Sequence, residues 1–337
     1  MNESTNCKKI ILNISILKFL YLYKFNIFAI MRKIIYILAF LLINSFSAYS
    51  QYKIDYGFSV GASNYLGEIG GGDGPRRGGI ADMKLNYTRW NIGGFFRYRI
   101  SPRFGAKATL NYVRLSGDDS KTTNPGRKGR NLNFKNDMIE LASHLELYIY
   151  RVNDVGRTGR YSTDFNLYLF GGAGLFYSNP KGELNGEWHA LQPLATEGVS
   201  YGRFNFAIPV GLGFYYTIDR KYRLGLEMGW RTTFTDYIDD ISDKYVAHTD
   251  PLTAQLANKT DQAVINSIEP VEGEPFPAVT TYNPGKKRGD PEHNDSYATV
   301  TVNFSWAIRG RSNFYKSKHN WVLGKNKRRR RKSRAKF

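Results

Sequence analysis

Residues 203–240 read RFNFAIPVGLGFYYTIDRKYRLGLEMGWRTTFTDYIDD. By parity, Phe204, Phe206, Ile208, Val210, Leu212, Phe214 and Tyr216 share one face, and Arg203, Asn205, Ala207, Gly211 and Gly213 share the other. Asp219, Arg220 and Lys221 turn the chain. The return run sets Tyr222, Leu224, Leu226, Met228 and Trp230 against Arg223, Gly225, Glu227, Gly229, Arg231 and Thr233. Alternation sustained over more than ten residues specifies long strands, apolar on one side and polar on the other. Glycine at every second position argues against a helix. Ordinary strands run to about 5–6 residues, whereas a tilted membrane-crossing strand needs roughly 9–11. The polar face mixes small residues with charges of both signs, which suits the crowded interior of a narrow barrel.

The same pattern recurs on both sides of this pair. Strands are expected from Tyr56 to Val60 and onward, over Trp90–Ile100, Phe104–Leu115, Asp137–Tyr150 and Asp164–Tyr177, and finally over Ser296–Ile308. With the opening pair that makes eight strands, and single-chain outer-membrane barrels have even strand numbers. The connections after strands two, four and six are short, and those after one, three, five and seven are long, as with periplasmic turns and extracellular loops. Gly67–Gly79, Gly117–Phe134, Asn179–Gly202 and Tyr237–Asp295 are read as loops. The expected fold is all-β: an eight-stranded antiparallel transmembrane β-barrel with long extracellular loops, placed in the outer membrane with both termini periplasmic.

Composition agrees with this reading. Aromatic residues make up 15% of the 337, with 24 Tyr and 21 Phe, enough for interfacial girdles. The single cysteine, Cys7, excludes a disulfide framework. Met31-Arg32-Lys33, the apolar run Ile34–Ile43 and Ala48-Tyr49-Ser50 before Gln51 have the layout of a secretory signal peptide. Residues 1–50 are therefore read as an extension plus signal peptide with a start at Met31, 51–308 as the barrel, and 309–337 as a basic periplasmic tail. An uncleaved anchor is the other reading of the N-terminal stretch, although Lys18 and Lys24 interrupt it. The net charge of +19 is concentrated at the end of the chain, since 309–337 carries thirteen Lys and Arg and no acid.

Candidate functional residues fall into three groups. Arg97, Arg99, Lys107, Glu140, Glu146, Arg223, Glu227 and Arg231 lie on polar strand faces and are expected to pair inside the lumen. An eight-stranded barrel holds little besides its own side chains, so these charges read as a plug rather than a conduction path. Phe234, Thr235, Asp236, Tyr237, Asp239 and Asp240 leave the seventh strand beside Asp243 and His248. Acids there could activate water or hold a hard cation such as Ca²⁺; the plainer reading is a solvated, turn-forming acidic loop. Ser143 and His144 are adjacent, point to opposite faces and cannot form one dyad; the expectation is no enzyme, no metal and no cofactor. In the tail, Phe314, Tyr315 and Trp321 precede Arg328, Arg329, Arg330 and Arg331. Behind a signal peptide, such a segment meets a protein surface, peptidoglycan or anionic lipid heads, not nucleic acid.

Several stretches resemble one family. Gly61-Ala-Ser-Asn-Tyr-Leu-Gly-Glu-Ile-Gly70, Arg231-Thr-Thr-Phe-Thr-Asp-Tyr-Ile-Asp-Asp-Ile-Ser242, Arg288-Gly-Asp-Pro291 and Asn294-Asp-Ser-Tyr297 are similar to the PorG-like outer-membrane barrels of the type IX secretion system. The phrase FTDYIDDIS is the most specific of these. The resemblance implies a non-enzymatic part of a secretion and gliding apparatus, partnered by periplasmic ring proteins that include a lipoprotein, with no small-molecule substrate. Two other classes remain: a stand-alone structural or adhesive barrel of OmpA/OmpX size, and a soluble lipocalin-like carrier with the apolar face turned inward.

Overall fold

The computed structural model describes residues 53–69, 85–122, 124–153, 155, 163–270, 272 and 275–308. The signal peptide and extension, most of the Gly67–Gly79 loop, and the tail with Phe314, Tyr315, Trp321 and Arg328–Arg331 lie outside them.

Eight long strands close into a barrel: β1 (Ile54–Leu66), β2 (Arg89–Arg99), β3 (Phe104–Asp118), β4 (Asn133–Val152), β5 (Thr163–Tyr177), β8 (Phe204–Ile218), β9 (Tyr222–Thr233) and β10 (Ser296–Ile308). Each pairs antiparallel with the next, and β1 pairs with β10 from Ile54↔Ile308 to Leu66↔Ser296, which removes the free edges. The β8–β9 connection is tight, with Asp219 and Arg220 both at positive φ and Lys221 N–H donating to the Ile218 carbonyl at 3.0 Å. That is the mirror-image turn whose twist matches a hairpin.

The alternation read from the sequence sets which side faces outward. Phe204, Phe206, Ile208, Val210 and Leu212 on β8, and Leu224, Leu226 and Met228 on β9, are exposed, as are Ile139, Leu141, Leu145 and Leu147 on β4. A soluble protein seldom exposes an apolar surface this continuous, so this is a lipid-facing belt. Aromatic clusters border it. Trp90 stacks on Tyr112 at 5.1 Å, and Tyr177 meets Phe204 at 5.3 Å, toward the long loops. Tyr56 and Trp306 at 6.0 Å, and Phe165 and Tyr216 at 5.0 Å, lie toward the short turns. An apolar band between two aromatic girdles is the signature of an outer-membrane barrel, and it excludes the lipocalin arrangement, whose apolar side faces in. No helix among the described residues is long and apolar enough to cross a membrane; the strands do so.

The long connections are more structured than their polar composition indicated. Between β5 and β8 stands a hairpin, β6 (Pro180–Leu184) and β7 (Glu187–Ala190), joined to the projecting end of β4 through Lys135↔Lys181 and Asn136↔Pro180. Strand β4 reaches 20 residues because it leaves the barrel and carries this hairpin. Between β3 and β4 lies α1 (Pro125–Arg130), capped by Asn124, whose side chain accepts from Arg127 N–H at 3.1 Å. Between β9 and β10 lie α2 (Pro251–Ala257), capped by Asp250, and α3 (Gln262–Asn266), capped by Asp261. Each helix is a single turn or two. Only the Asx caps and a proline at the first helical positions of α1 and α2 mark them in the sequence.

Candidate functional site

Two sites follow from this frame: the charged lumen and the mouth above it.

In the lumen, inward positions of successive strands meet at one level because register fixes who faces whom. Near the short turns, Arg97 lies 3.2 Å from Asp55 and 2.8 Å from Glu146. Arg223 also reaches Asp55. One level up, Lys107 lies 2.6 Å from Glu227. Tyr168 links the levels, accepting from Arg97 at 3.1 Å and donating to Glu227 at 2.7 Å. Higher still, Arg231 lies 3.3 Å from Glu140, which also accepts from Tyr297. All these side chains are buried. Each cation has a carboxylate or aromatic partner, as burial requires. Arg97 sits within 5.3 Å of the Phe95 and Tyr168 ring centres.

Two of these placements differ from the sequence reading. Arg99 is held by stacking on Tyr148 at 4.3 Å and by Asn166 at 3.3 Å, not by a carboxylate. Asp55, left out of the expected pairs, joins Arg97 to Arg223. Its parity with Gly57 and Ser59 was the available signal; its two partners depend on inter-strand register, which sequence does not supply. His144 points inward and stacks on Phe170 at 5.1 Å, whereas Ser143 is exposed on the lipid side. The two cannot cooperate as a dyad.

Above the lumen the barrel is stoppered. Tyr65, Val113, Leu115, Phe134, Met138, Phe176 and Tyr297 from the strand ends pack with Ile238 and Ile241 of the FTDYIDDIS phrase. Both isoleucines are fully buried. The phrase is therefore not the solvated acidic loop expected of it. Asp236, Asp239 and Asp240 are buried, and of the six motif residues Phe234 is the exposed one. Asp239 accepts from the backbone N–H groups of Ile69 (3.2 Å) and Ile241 (3.0 Å). Asp240, at φ 72°, accepts from Thr196 and from Tyr201. Asp295, immediately before β10, accepts from Ile238 N–H at 3.0 Å and from the Tyr65 hydroxyl. Tyr237 stacks on Tyr201 at 4.5 Å, nearly parallel.

Two arginines tie the loops together over this stopper. Arg288 reaches Glu197 at 2.9 Å and the Asp240 carbonyl at 2.7 Å. Glu197 in turn accepts from Ser242 and Asp243 N–H, each at 3.0 Å. Arg130 lies 2.7 Å from Asp119 and donates to the carbonyls of Arg288 (2.8 Å) and Glu68 (2.9 Å). All four long connections are thereby joined. Burial, with Asp239 and Asp236 nearby, pushes the Glu68 carboxyl up to about 9. Burial raises Asp240 to about 6, against the pull of Arg288, and raises Asp295 well above the carboxylate range. Glu68 therefore holds a proton at neutral pH, whereas Asp240 is mostly ionised there and faces Arg288 as a carboxylate. Among the described residues no group of three or more His, Cys, Asp or Glu could hold a metal ion.

Several solved outer-membrane proteins are similar to this chain in fold. They include Ail, the attachment invasion locus protein of Yersinia pestis, solved in complex with the heparin analogue sucrose octasulfate (10% identity, 76% of this chain and 99% of Ail, TM-score 0.33). OprG from Pseudomonas aeruginosa matches at 8% identity over 77% of this chain and 99% of its own, TM-score 0.29. CarO of Acinetobacter baumannii matches at 13% identity over 77% and 100%, TM-score 0.27. No curated protein matches the chain. Residues 32–264 match the domain of unknown function DUF6089. That span covers well over half of the sequence, and the chain belongs to the DUF6089 family.

Proposed function

We propose that this protein is a non-enzymatic outer-membrane scaffold that ties a periplasmic ring assembly of a type IX secretion and gliding apparatus to the outer membrane. The observation that carries the scaffold reading is the filled interior. Three levels of paired charges and an apolar stopper occupy the path from the short turns to the long loops. A barrel filled in this way offers other molecules its two ends and its lipid face. The similarity of FTDYIDDIS and its companion stretches to PorG-like barrels supports the choice of apparatus. In this reading both termini are periplasmic, and residues 309–337 reach a ring protein or its lipoprotein partner. Phe314, Tyr315 and Trp321 anchor the contact, and the Arg328–Arg331 cluster steers it.

Truncation after Gly310 tests this. The shortened barrel should still insert and shift on an unboiled gel, yet recover less of the periplasmic lipoprotein in affinity purification from solubilised membranes. Raised salt should weaken the intact complex, because exposed charges are screened beyond about 8–10 Å. Retention of the same partners at every salt concentration would reduce the tail to a solubilising appendage.

A second reading, a stand-alone structural or adhesive barrel, is favoured by the ordered long-loop end with its hairpin and short helices. Deletion separates the two: loss of secretion supports the apparatus, and normal secretion with altered surface attachment supports the adhesin.

A further inference from the structure

The long-loop end carries an open, solvent-facing groove of about 610 Å³ that neither the lumen nor the stopper uses. Three segments wall it: the α1–β4 junction (Asn131, Asn133), the end of β6 with its turn (Glu183–Gly186), and α2 with the linker that follows it (Gln255 and Asn258–Asp261). Five of the lining residues are side-chain amides, and no aromatic residue is present. The titratable groups are Glu183, Asp261 and Lys259, so the site offers an anion no excess of positive charge.

The walls are braced from within. Lys259 Nζ donates to Asn133 Oδ1 at 2.6 Å and to the Glu183 carbonyl at 2.5 Å, joining all three segments. Asn133 Oδ1 also accepts from Glu183 N–H at 3.1 Å. Thr260 ties the linker to the end of α1 through the Gly129 carbonyl at 2.6 Å, and Asn258 donates to the Tyr282 carbonyl at 2.9 Å. Burial lowers the Lys259 amine to about 8. Asn185 and Gln255 stand exposed at the rim. Asn133 and Asn258 are spent on this bracing, which leaves the amides of Asn131, Asn185 and Gln255 to meet a ligand. A planar amide offers two donors and an acceptor in fixed directions, which suits vicinal hydroxyls, each of which both donates and accepts. The groove is long enough for a small ligand to lie along it with one side in solvent.

We propose that this groove binds a neutral polyhydroxylated ligand, a saccharide unit. The inference depends on the outward orientation of the long loops only for the sugar's source: the cell's own surface polysaccharide or a glycan from the surroundings.

The test uses the full chain in lipid nanodiscs, titrated with maltoheptaose, with a neutral mannan, with O-polysaccharide from the producing cells, and with heparin as the polyanion. At least one neutral probe should bind saturably. Asn185→Gly, which keeps the left-handed turn at that position (φ 51°), and Gln255→Ala should each weaken that binding about tenfold, the loss of one or two well-made hydrogen bonds. Both variants should keep the gel shift of the folded barrel. Glu292→Gln, exposed and away from the groove walls, should bind as the parent does. Binding of O-polysaccharide alone makes the ligand the cell's own; binding of the soluble glucan or mannan makes it foreign. The inference is overturned if no neutral probe binds, if only heparin binds, or if both rim variants bind normally. Orientation is read separately, by labelling Asn185→Cys with an impermeant thiol reagent on intact cells, so its failure is distinguishable from failure of the site.

Discussion

Asp55 accepts from arginines on two different strands, so its removal takes a carboxylate from both at once, with Arg97 keeping Glu146. Breaking a buried pair from one side costs about 3–5 kcal/mol. Asp55→Ala should therefore lower the temperature at which the unboiled gel shift is lost, and Ser305→Ala, which removes a single hydroxyl bond to Asp55, should lower it much less. At the mouth, Arg288→Met leaves Glu197 and Asp240 facing each other without their shared guanidinium. Hydrogen exchange should speed up across residues 192–200 and 236–245 while the barrel strands keep their protection. Unchanged exchange there would contradict the role given to Arg288. The acids add a pH dependence of definite sign. Glu68 rises from about 4.5 unfolded to about 9 folded, and Asp240 from about 3.8 to about 6. A raised folded pKa means the native loops hold protons that the open loops release. Their stability is then greatest below about pH 4 and falls as pH rises toward 9. Protease cleavage of the loops should accelerate from pH 5 to pH 9, and Glu68→Gln should flatten the profile. Cleavage that slows with rising pH would reverse the assignment.

At the scale of elements, strand faces were legible in the sequence because the side-chain period of two needs no tertiary information. Strand ends and loop architecture were less so. The β6–β7 hairpin turns on Asn185-Gly186, a recognisable turn signal, yet its short strands carry no sustained alternation. The burial of Asp236, Asp239 and Asp240 was illegible for a different reason. An acidic phrase after a strand reads as solvated, and only the spacing of Ile238 and Ile241 around the acids hints at an apolar side. The lumen pairs lie between: which residues point inward follows from parity, and which of them touch follows from register. The lipid face permits a direct check. Leu226, centrally placed on β9 opposite Phe214 and Val302, should cost about 2–4 kcal/mol when replaced by Arg. The measurement is unfolding of the barrel from lipid vesicles by denaturant, and a change below about 1 kcal/mol would remove Leu226 from the bilayer's middle.

At the scale of the whole molecule, the described residues form a barrel filled with its own charges and closed at the long-loop end by an apolar stopper. The arrangement separates the two ends. What docks at the long loops acts on a surface held by Arg130 and Arg288, and what docks at the short turns meets the end where both described chain ends, Lys53 and Ile308, lie beside each other in the β1–β10 pair. A scaffold needs that separation; a porin needs the opposite, an open path. The most direct measurement of this account is therefore single-channel recording from the purified protein in planar lipid bilayers, using the fraction that floats with vesicles and shows the unboiled gel shift. The filled barrel predicts no unitary conductance steps across a range of voltages. Reproducible, voltage-stable steps from that same fraction would show an open lumen and contradict it.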